Sequence, residues 1–216
     1  MTGLIWKDFY VMRKAVTSYL VVLVIYGVLA YLELFNFGFI ITFLQVMLMV
    51  LPMSAFAYDA QAKWDRYAMS LPLGRKSVVG ARYLFVLALA LITAAMGLAA
   101  SAFLWQIHAD DIVELVLTLL VASFLGLFVS AVLLPLNYKL GAERARPFLY
   151  AIIFIPMIAI VLLAKANILD LSALSWLNDL PPATLIGGAS LLPLAGLVLL
   201  LLSYLISCRV AAGKEY

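Results

Sequence analysis

The sequence predicts an all-α integral membrane protein with six transmembrane helices, and two observations carry that prediction. Hydrophobic residues make up 67% of the 216 residues, against roughly 45–50% in soluble domains. Uncharged runs of about 18 residues or more, the length that crosses a bilayer as a helix, occur six times. None of them alternates polar with apolar residues, which excludes a β-barrel. The predicted spans, within a single transmembrane domain over residues 1–216, are Ala15–Leu32, Leu34–Tyr58, Tyr83–Ile107, Leu115–Tyr138, Pro147–Ala164 and Leu180–Cys208.

The segment 1–14 precedes the first span and combines an apolar stripe with charged residues. Ile5, Phe9, Met12 and Val16 form the stripe. Lys7 and Asp8 supply charge, and Trp6 suits the depth of the lipid headgroups. This pattern predicts an amphipathic helix lying in the membrane interface. The alternative is a basic tail that only sets the orientation of the chain.

The segment 59–77 is the longest polar interruption of the chain and lies between the second and third spans. Asp59 precedes Lys63 by four residues, the favoured order for an ion pair on a helix. Trp64 and Tyr67 fall on one apolar stripe. A short surface helix is therefore expected here, and its aromatic residues suit either the lipid interface or a protein partner.

Prolines and small residues suggest how the spans pack. Pro52 and Pro135 lie near corresponding ends of the second and fourth spans, where each should kink its helix or free a carbonyl group. Small residues recur at four-residue spacing in Gly97–Ser101 and Gly126–Ser130, a spacing that allows helices to approach closely. After the fifth span, the segment 165–188 is expected to form a re-entrant or interfacial helix.

The distribution of basic residues predicts the orientation. With six spans, both termini lie on one side of the membrane, and the segments on that side carry 13 of the 14 Lys and Arg residues. Basic residues are enriched in cytoplasmic segments. We therefore expect both termini in the cytoplasm, in a plasma-membrane protein with several spans.

The sequence lacks the patterns of catalytic, metal and nucleotide sites. His108 is the only histidine and Cys208 the only cysteine, so neither a multi-histidine nor a multi-thiolate metal site is possible. There is no phosphate-binding loop of the Gly-x-x-x-x-Gly-Lys-Ser/Thr type. The net charge of +3 does not argue for nucleic acid. We expect no catalytic residue, no metal and no cofactor on this chain, and lipid as its surroundings.

The polar interruption also resembles a known family. Its residues Tyr58-Asp59, Lys63-Trp64-Asp65-Arg66-Tyr67, Ser70-Leu71-Pro72, Arg75-Lys76 and Arg82-Tyr83 look like the segment between the second and third spans of ABC transporter type-2 permeases. The start of the chain, Leu4–Asp8, is similar to the start of those proteins. The chain looks closest to the short permeases of bacterial exporters of phenol-soluble modulins and bacteriocins.

The resemblance implies a transport subunit that is not itself an enzyme. Two permease chains, most simply a homodimer, would work with two copies of a separate ATPase subunit that holds ATP and magnesium, and would export an amphipathic or hydrophobic cargo such as a peptide. The residues implied to bind the ATPase are Asp59, Lys63, Trp64, Asp65, Arg66 and Tyr67 of a coupling helix, with Arg144 of a second, smaller element at Lys139–Arg146. Trp6, Lys7 and Asp8 would belong to a flanking interfacial helix.

Two other classes compete with the transport subunit. An accessory or anchoring membrane protein would have no conduit and would bind no ATPase. An intramembrane enzyme would need ionisable or nucleophilic pairs at depth, and no Asp, Glu, Lys or Arg lies near the middle of any predicted span. Co-purification with a soluble ATPase distinguishes the first class from the transport subunit.

Overall fold

The computed structural model describes residues 2–32, 38–64, 67–68, 74–108, 112–166 and 180–213. These residues contain six helices that are long and apolar enough to cross a membrane, and no strand occurs among them. Each helix corresponds to one predicted span, which confirms the all-α class and the presence of six helices long and apolar enough to cross a membrane. The helices are α1 (Thr2–Tyr31), α2 (Gly38–Gln61), α3 (Arg75–His108), α4 (Ile112–Leu140), α5 (Ala142–Lys165) and α6 (Pro182–Ala212).

Helix α1 corrects the prediction for the amino terminus. The segment 1–14 is not a separate interfacial helix, because α1 runs without a break from Thr2 to Tyr31. No proline occurs in this helix, and its two glycines lie close to its ends, so nothing in the sequence stops the helix before the first span. Thirty residues extend over about 45 Å, which exceeds the roughly 30 Å of bilayer hydrocarbon.

Helix α2 likewise extends further than predicted. It ends at Gln61, so Asp59 belongs to its last turn and does not begin a new helix. The chain then turns at Ala62 and Lys63, where the φ angle of Lys63 is 51°. Helical geometry resumes at Trp64. Segment 59–77 is therefore not one continuous coupling helix, and its residues 65–66 and 69–73 lie outside the described part of the chain.

Helix α4 lies at the centre of the bundle. It packs most extensively against α6 and also contacts α2, α3 and α5. Helix α1 packs against α2 and α3. Helix α5 is the least enclosed: it packs against α4 and α2, and its only buried residues are Ala142 and Ala145, near its start. Most of the predicted re-entrant segment 165–188 lies outside the described residues, and Pro182–Gly188 belongs to α6.

Two prolines free carbonyl groups as predicted, and serines of neighbouring helices donate to them. Pro52 has no N–H to donate to Leu48 O, four residues earlier, and Ser130 Oγ of α4 donates to that oxygen at 3.2 Å. The carbonyl four residues before Pro135 belongs to Ala131, and Ser203 Oγ of α6 donates to it at 2.5 Å. An unpaired carbonyl in hydrocarbon would cost several kcal/mol. These serines therefore join α2 to α4 and α4 to α6.

The predicted close approaches at glycines are present. A Cβ atom on Gly126 would lie 2.9 Å from Leu48 Cδ2. A Cβ atom on Gly97 would lie 2.4 Å from Leu119 Cδ1. Both distances are shorter than ordinary van der Waals contact, so a larger residue at either position would require the facing leucine side chain to shift.

Candidate functional site

The candidate site lies at one end of the bundle, which we call the basic end. There α1, α3 and α5 begin, and α2, α4 and α6 end. Contacts between these helix ends establish the arrangement: Lys7 of α1 bonds to Asp59 of α2, and Phe56 of α2 stacks edge-on against Tyr138 of α4. The basic residues described at this end are Lys7, Arg13, Lys14, Lys63, Lys76, Arg82, Lys139, Arg144, Arg146 and Arg209.

Four charged side chains from three helices form a cluster at the basic end, which we call the charged cluster: Lys7 and Asp8 of α1, Asp59 of α2 and Arg82 of α3. Lys7 Nζ lies 2.8 Å and 3.0 Å from the two carboxylate oxygens of Asp59. The same Nζ lies 3.0 Å from Asp8 Oδ1. Arg82 Nη1 lies 3.1 Å from Asp8 Oδ2, and its Nη2 contacts Asp59 Oδ2. Each cation thus contacts both carboxylates.

The charged cluster is largely shielded from solvent. The side chains of Asp8, Arg82 and Asp59 are 5%, 7% and 9% exposed, and that of Lys7 is 22% exposed. Two positive and two negative charges balance, so no net charge is buried. A buried ion pair is costly to break from one side only, because the remaining charge keeps its desolvation penalty without its partner. The cluster therefore favours a fixed arrangement of the ends of α1, α2 and α3.

Aromatic rings surround the charged cluster and link it to the polar segment. Lys7 Nζ lies 4.3 Å from the centre of the Trp64 ring. Arg82 Cζ lies 4.6 Å from the centre of the Phe56 ring. The Trp64 and Tyr67 rings are 5.2 Å apart, which agrees with the expectation that they share a face. Trp64 is partly buried and Tyr67 is 58% exposed. Tyr67 therefore presents an aromatic surface that is connected through Trp64 to Lys7.

The structure corrects two expectations about charge. Asp59 does not pair with Lys63, because α2 ends between them and the Asp59 carboxylate faces Lys7 and Arg82. Lys63 is exposed at the turn. The place of Arg82 at a span end predicts that it faces water or extends to the membrane surface, but only 6% of it is exposed. The sequence places Arg82 at the boundary of an apolar run. It does not show that Asp8 and Asp59, from two other helices, both contact its guanidinium.

The other predicted residues are more dispersed. Trp6 is 75% exposed on α1, and Arg144 is exposed in the first turns of α5. Asp65 and Arg66 lie outside the described residues. The predicted second element, Lys139–Arg146, is almost entirely helical: α4 ends at Leu140 and α5 begins at Ala142. Gly141 alone separates these helices, with a φ of 85° that favours glycine.

Among the residues that the structure describes, no group of three His, Cys, Asp or Glu side chains could hold a metal ion. The charged cluster contains only two carboxylates, and both are already paired with cations. The cluster can hold the ends of α1, α2 and α3 together. Its role is therefore structural and not catalytic.

Comparison with known proteins agrees with this bundle. The model of the ABC-2 family transporter proteins matches residues 3–211. The chain belongs to this family, and it is a permease, the membrane subunit of an ABC transporter, with several membrane spans. No curated protein and no solved structure gives a significant match.

Proposed function

We propose that the chain is the membrane-spanning subunit of an ATP-driven exporter. Two copies act with two copies of a separate ATPase subunit, which holds ATP and magnesium. Membership of the ABC-2 family supports a permease that works with an ATPase. The complex resides in the plasma membrane with both termini of this chain in the cytoplasm. The orientation is supported by the basic residues at one end of the bundle, because such residues are enriched in cytoplasmic segments.

The observation that carries the coupling proposal is the contact between Lys7 and Trp64. The polar segment around Trp64 and Tyr67 docks on the ATPase, and Lys7 connects it to the charged cluster. Movement of the docked segment then acts on α1 through Lys7, and on α2 and α3 through Asp59 and Arg82. Arg144 and the neighbouring start of α5 form a second contact with the ATPase.

The proposed cargo is an amphipathic or hydrophobic molecule, most simply a peptide. Helices α2 to α6 carry no Asp, Glu, Lys or Arg in their central turns, and α1 carries none after Lys14, whereas pathways for ions and protons usually contain such groups. ATPase activity of the purified complex should rise with an amphipathic peptide and not with sugars or inorganic ions. Stimulation by sugars or ions alone would contradict this cargo class.

The coupling proposal is tested by a double substitution, Trp64→Ala with Tyr67→Ala. Large aromatic side chains that fill a partner's pocket cost about 2 kcal/mol or more on truncation. We expect retention of the ATPase on the immobilised permease to weaken by about 100-fold or more. Insertion of the six spans should be unchanged, since insertion depends on the apolar runs.

A matched control is Trp105→Ala, which removes a 52% exposed aromatic side chain near the opposite end of α3. It should leave retention of the ATPase unchanged. If the double variant also retained the ATPase normally, Trp64 and Tyr67 would not form the docking surface. Looser attachment of the segment to lipid, with intact ATPase binding, would assign the two rings to the membrane interface.

A further inference from the structure

A pocket between α2 and α5 lies at the basic end, apart from the charged cluster, and we call it the α2–α5 pocket. Its volume is about 370 Å³, within the range of small-molecule sites. Its polar lining comes from Ser54, Tyr58 and Gln61 of α2 and from Arg146 and Tyr150 of α5, and Met53 and Leu149 are among its apolar residues. The pocket therefore has hydrogen-bond donors on one part of its lining and aliphatic side chains on another.

Arg146 gives the α2–α5 pocket a positive charge. Its lining contains no Asp or Glu. Among the residues that the structure describes, no carboxylate lies within 4.0 Å of the Arg146 guanidinium. A guanidinium with adjacent hydroxyl and amide donors is suited to the oxygens of a phosphate or carboxylate. The pocket therefore complements an anionic group.

The apolar side of the pocket continues along the exposed surface of α5. Ile153 and Met157 follow Leu149 and Tyr150 at helical spacing and are 40% and 55% exposed. An acyl chain of a bound lipid could pack on these exposed side chains in place of the surrounding bulk lipid. Tyr and Arg residues at the end of a span lie at headgroup depth. We propose that the α2–α5 pocket binds an anionic phospholipid, with its phosphate at Arg146 and an acyl chain along α5.

The test compares two lipids that share their acyl chains. The purified chain in detergent is mixed with dioleoyl phosphatidylglycerol or dioleoyl phosphatidylcholine, and bound lipid is counted by native mass spectrometry. The chain should prefer phosphatidylglycerol. Arg146→Gln should reduce that preference about fivefold, the effect expected of one basic residue at an anionic surface. Arg146→Lys should retain most of it.

Lys139→Gln is the matched control, because Lys139 is exposed nearby at the end of α4 and does not line the pocket. It should leave the preference unchanged. Tyr150→Phe removes only a hydroxyl, so it tests the pocket even if Arg146→Gln fails to give a monodisperse protein, and we expect a smaller loss. An unchanged preference in the pocket variants, or an equal loss in Lys139→Gln, would overturn the proposal.

A competition experiment distinguishes lipid from cargo. An anionic amphipathic peptide is added to the chain loaded with phosphatidylglycerol. Lipid retained at peptide concentrations that stimulate the ATPase supports the proposal. Displacement of the lipid that requires Arg146 would assign the pocket to cargo and overturn the lipid assignment. Because lipid binding is measured on the isolated chain, its failure would leave the proposed transport function untouched.

Discussion

The guanidinium of Arg82 contacts carboxylates from two different helices, and the amine of Lys7 contacts the same two carboxylates. This reciprocal pairing fixes how the ends of α1, α2 and α3 meet. An arginine suits the position better than a lysine, because its planar fork contacts two partners with separate nitrogens. The Phe56 ring beside the Arg82 guanidinium adds a cation–π contact.

Arg82→Gln tests the importance of this pairing. It leaves two buried carboxylates with Lys7 as their only cation in the cluster, and breaking a buried pair from one side costs about 3–5 kcal/mol. The thermal midpoint of the detergent-solubilised protein should fall by roughly 6 °C or more. Adding Asp59→Asn to Arg82→Gln should recover part of the loss, since one unpaired carboxylate is then replaced by a neutral amide.

Arg209→Gln supplies the control for the loss of a positive charge. Arg209 is exposed in the last turn of α6, and surface charges contribute about 1 kcal/mol or less. Its midpoint should stay close to that of the unmodified protein. Equal losses in the two single variants would show that the charged cluster contributes nothing beyond net charge.

At the scale of the helices, two serines donate to the carbonyl groups that prolines leave unpaired. One of these bonds joins α4 to α2, and the other joins α6 to α4. Ser203 Oγ donates to Ala131 O and also lies 2.7 Å from Tyr83 Oη, which brings α3 into the same network. Tyr83 Oη lies 2.7 Å from Ser207 Oγ as well. Pro52 and Pro135 each remove a backbone bond within their own helix, and a neighbouring helix supplies the replacement.

A double-mutant cycle on Pro52 and Ser130 measures one of these connections. In the unmodified protein, Ser130→Ala leaves Leu48 O without its donor and should cost about 1 kcal/mol. In a Pro52→Ala background, the backbone N–H that the substitution restores can donate to Leu48 O within α2, so the same change should cost distinctly less. Thermal midpoints of the four proteins give the coupling. Equal costs in the two backgrounds would mean that Ser130 does not compensate for Pro52.

The number of spans, the freed carbonyl at Pro52 and the close approach at Gly126 could be predicted from the sequence, because each depends on composition or on spacing within one helix. The partners could not. That Asp59 faces Lys7 and Arg82 depends on where α2 ends and on how three helices cross. The pairing of Ser130 with Leu48 O joins residues 82 positions apart, and no local pattern encodes such a contact.

For the whole molecule, the basic end predicts how the chain sits in the membrane. Single cysteines at Lys14, Lys76 and Arg144, in a Cys208→Ser background, should react with an impermeant thiol reagent only from the cytoplasmic side. A cysteine at Asp110 should react only from outside. This follows from the enrichment of basic residues in cytoplasmic segments. Permeabilised cells provide the control for accessibility, and labelling of the Asp110 variant solely from the cytoplasm would contradict the six-span orientation.

The uninterrupted course of α1 links the charged cluster directly to the opposite end of the bundle. Lys7 lies near one end of this helix, in contact with Asp59 and Trp64, and Tyr31 lies at the other end. A helix of 30 residues is about 45 Å long. The part of α1 from Lys7 to Tyr31 is about 36 Å long. If it tilts as a straight rod by about 10° around Lys7, Tyr31 moves by about 6 Å, given that length. Under the proposed coupling, a small rotation imposed beside Trp64 would therefore displace the opposite end of α1 by more than the diameter of a helix backbone.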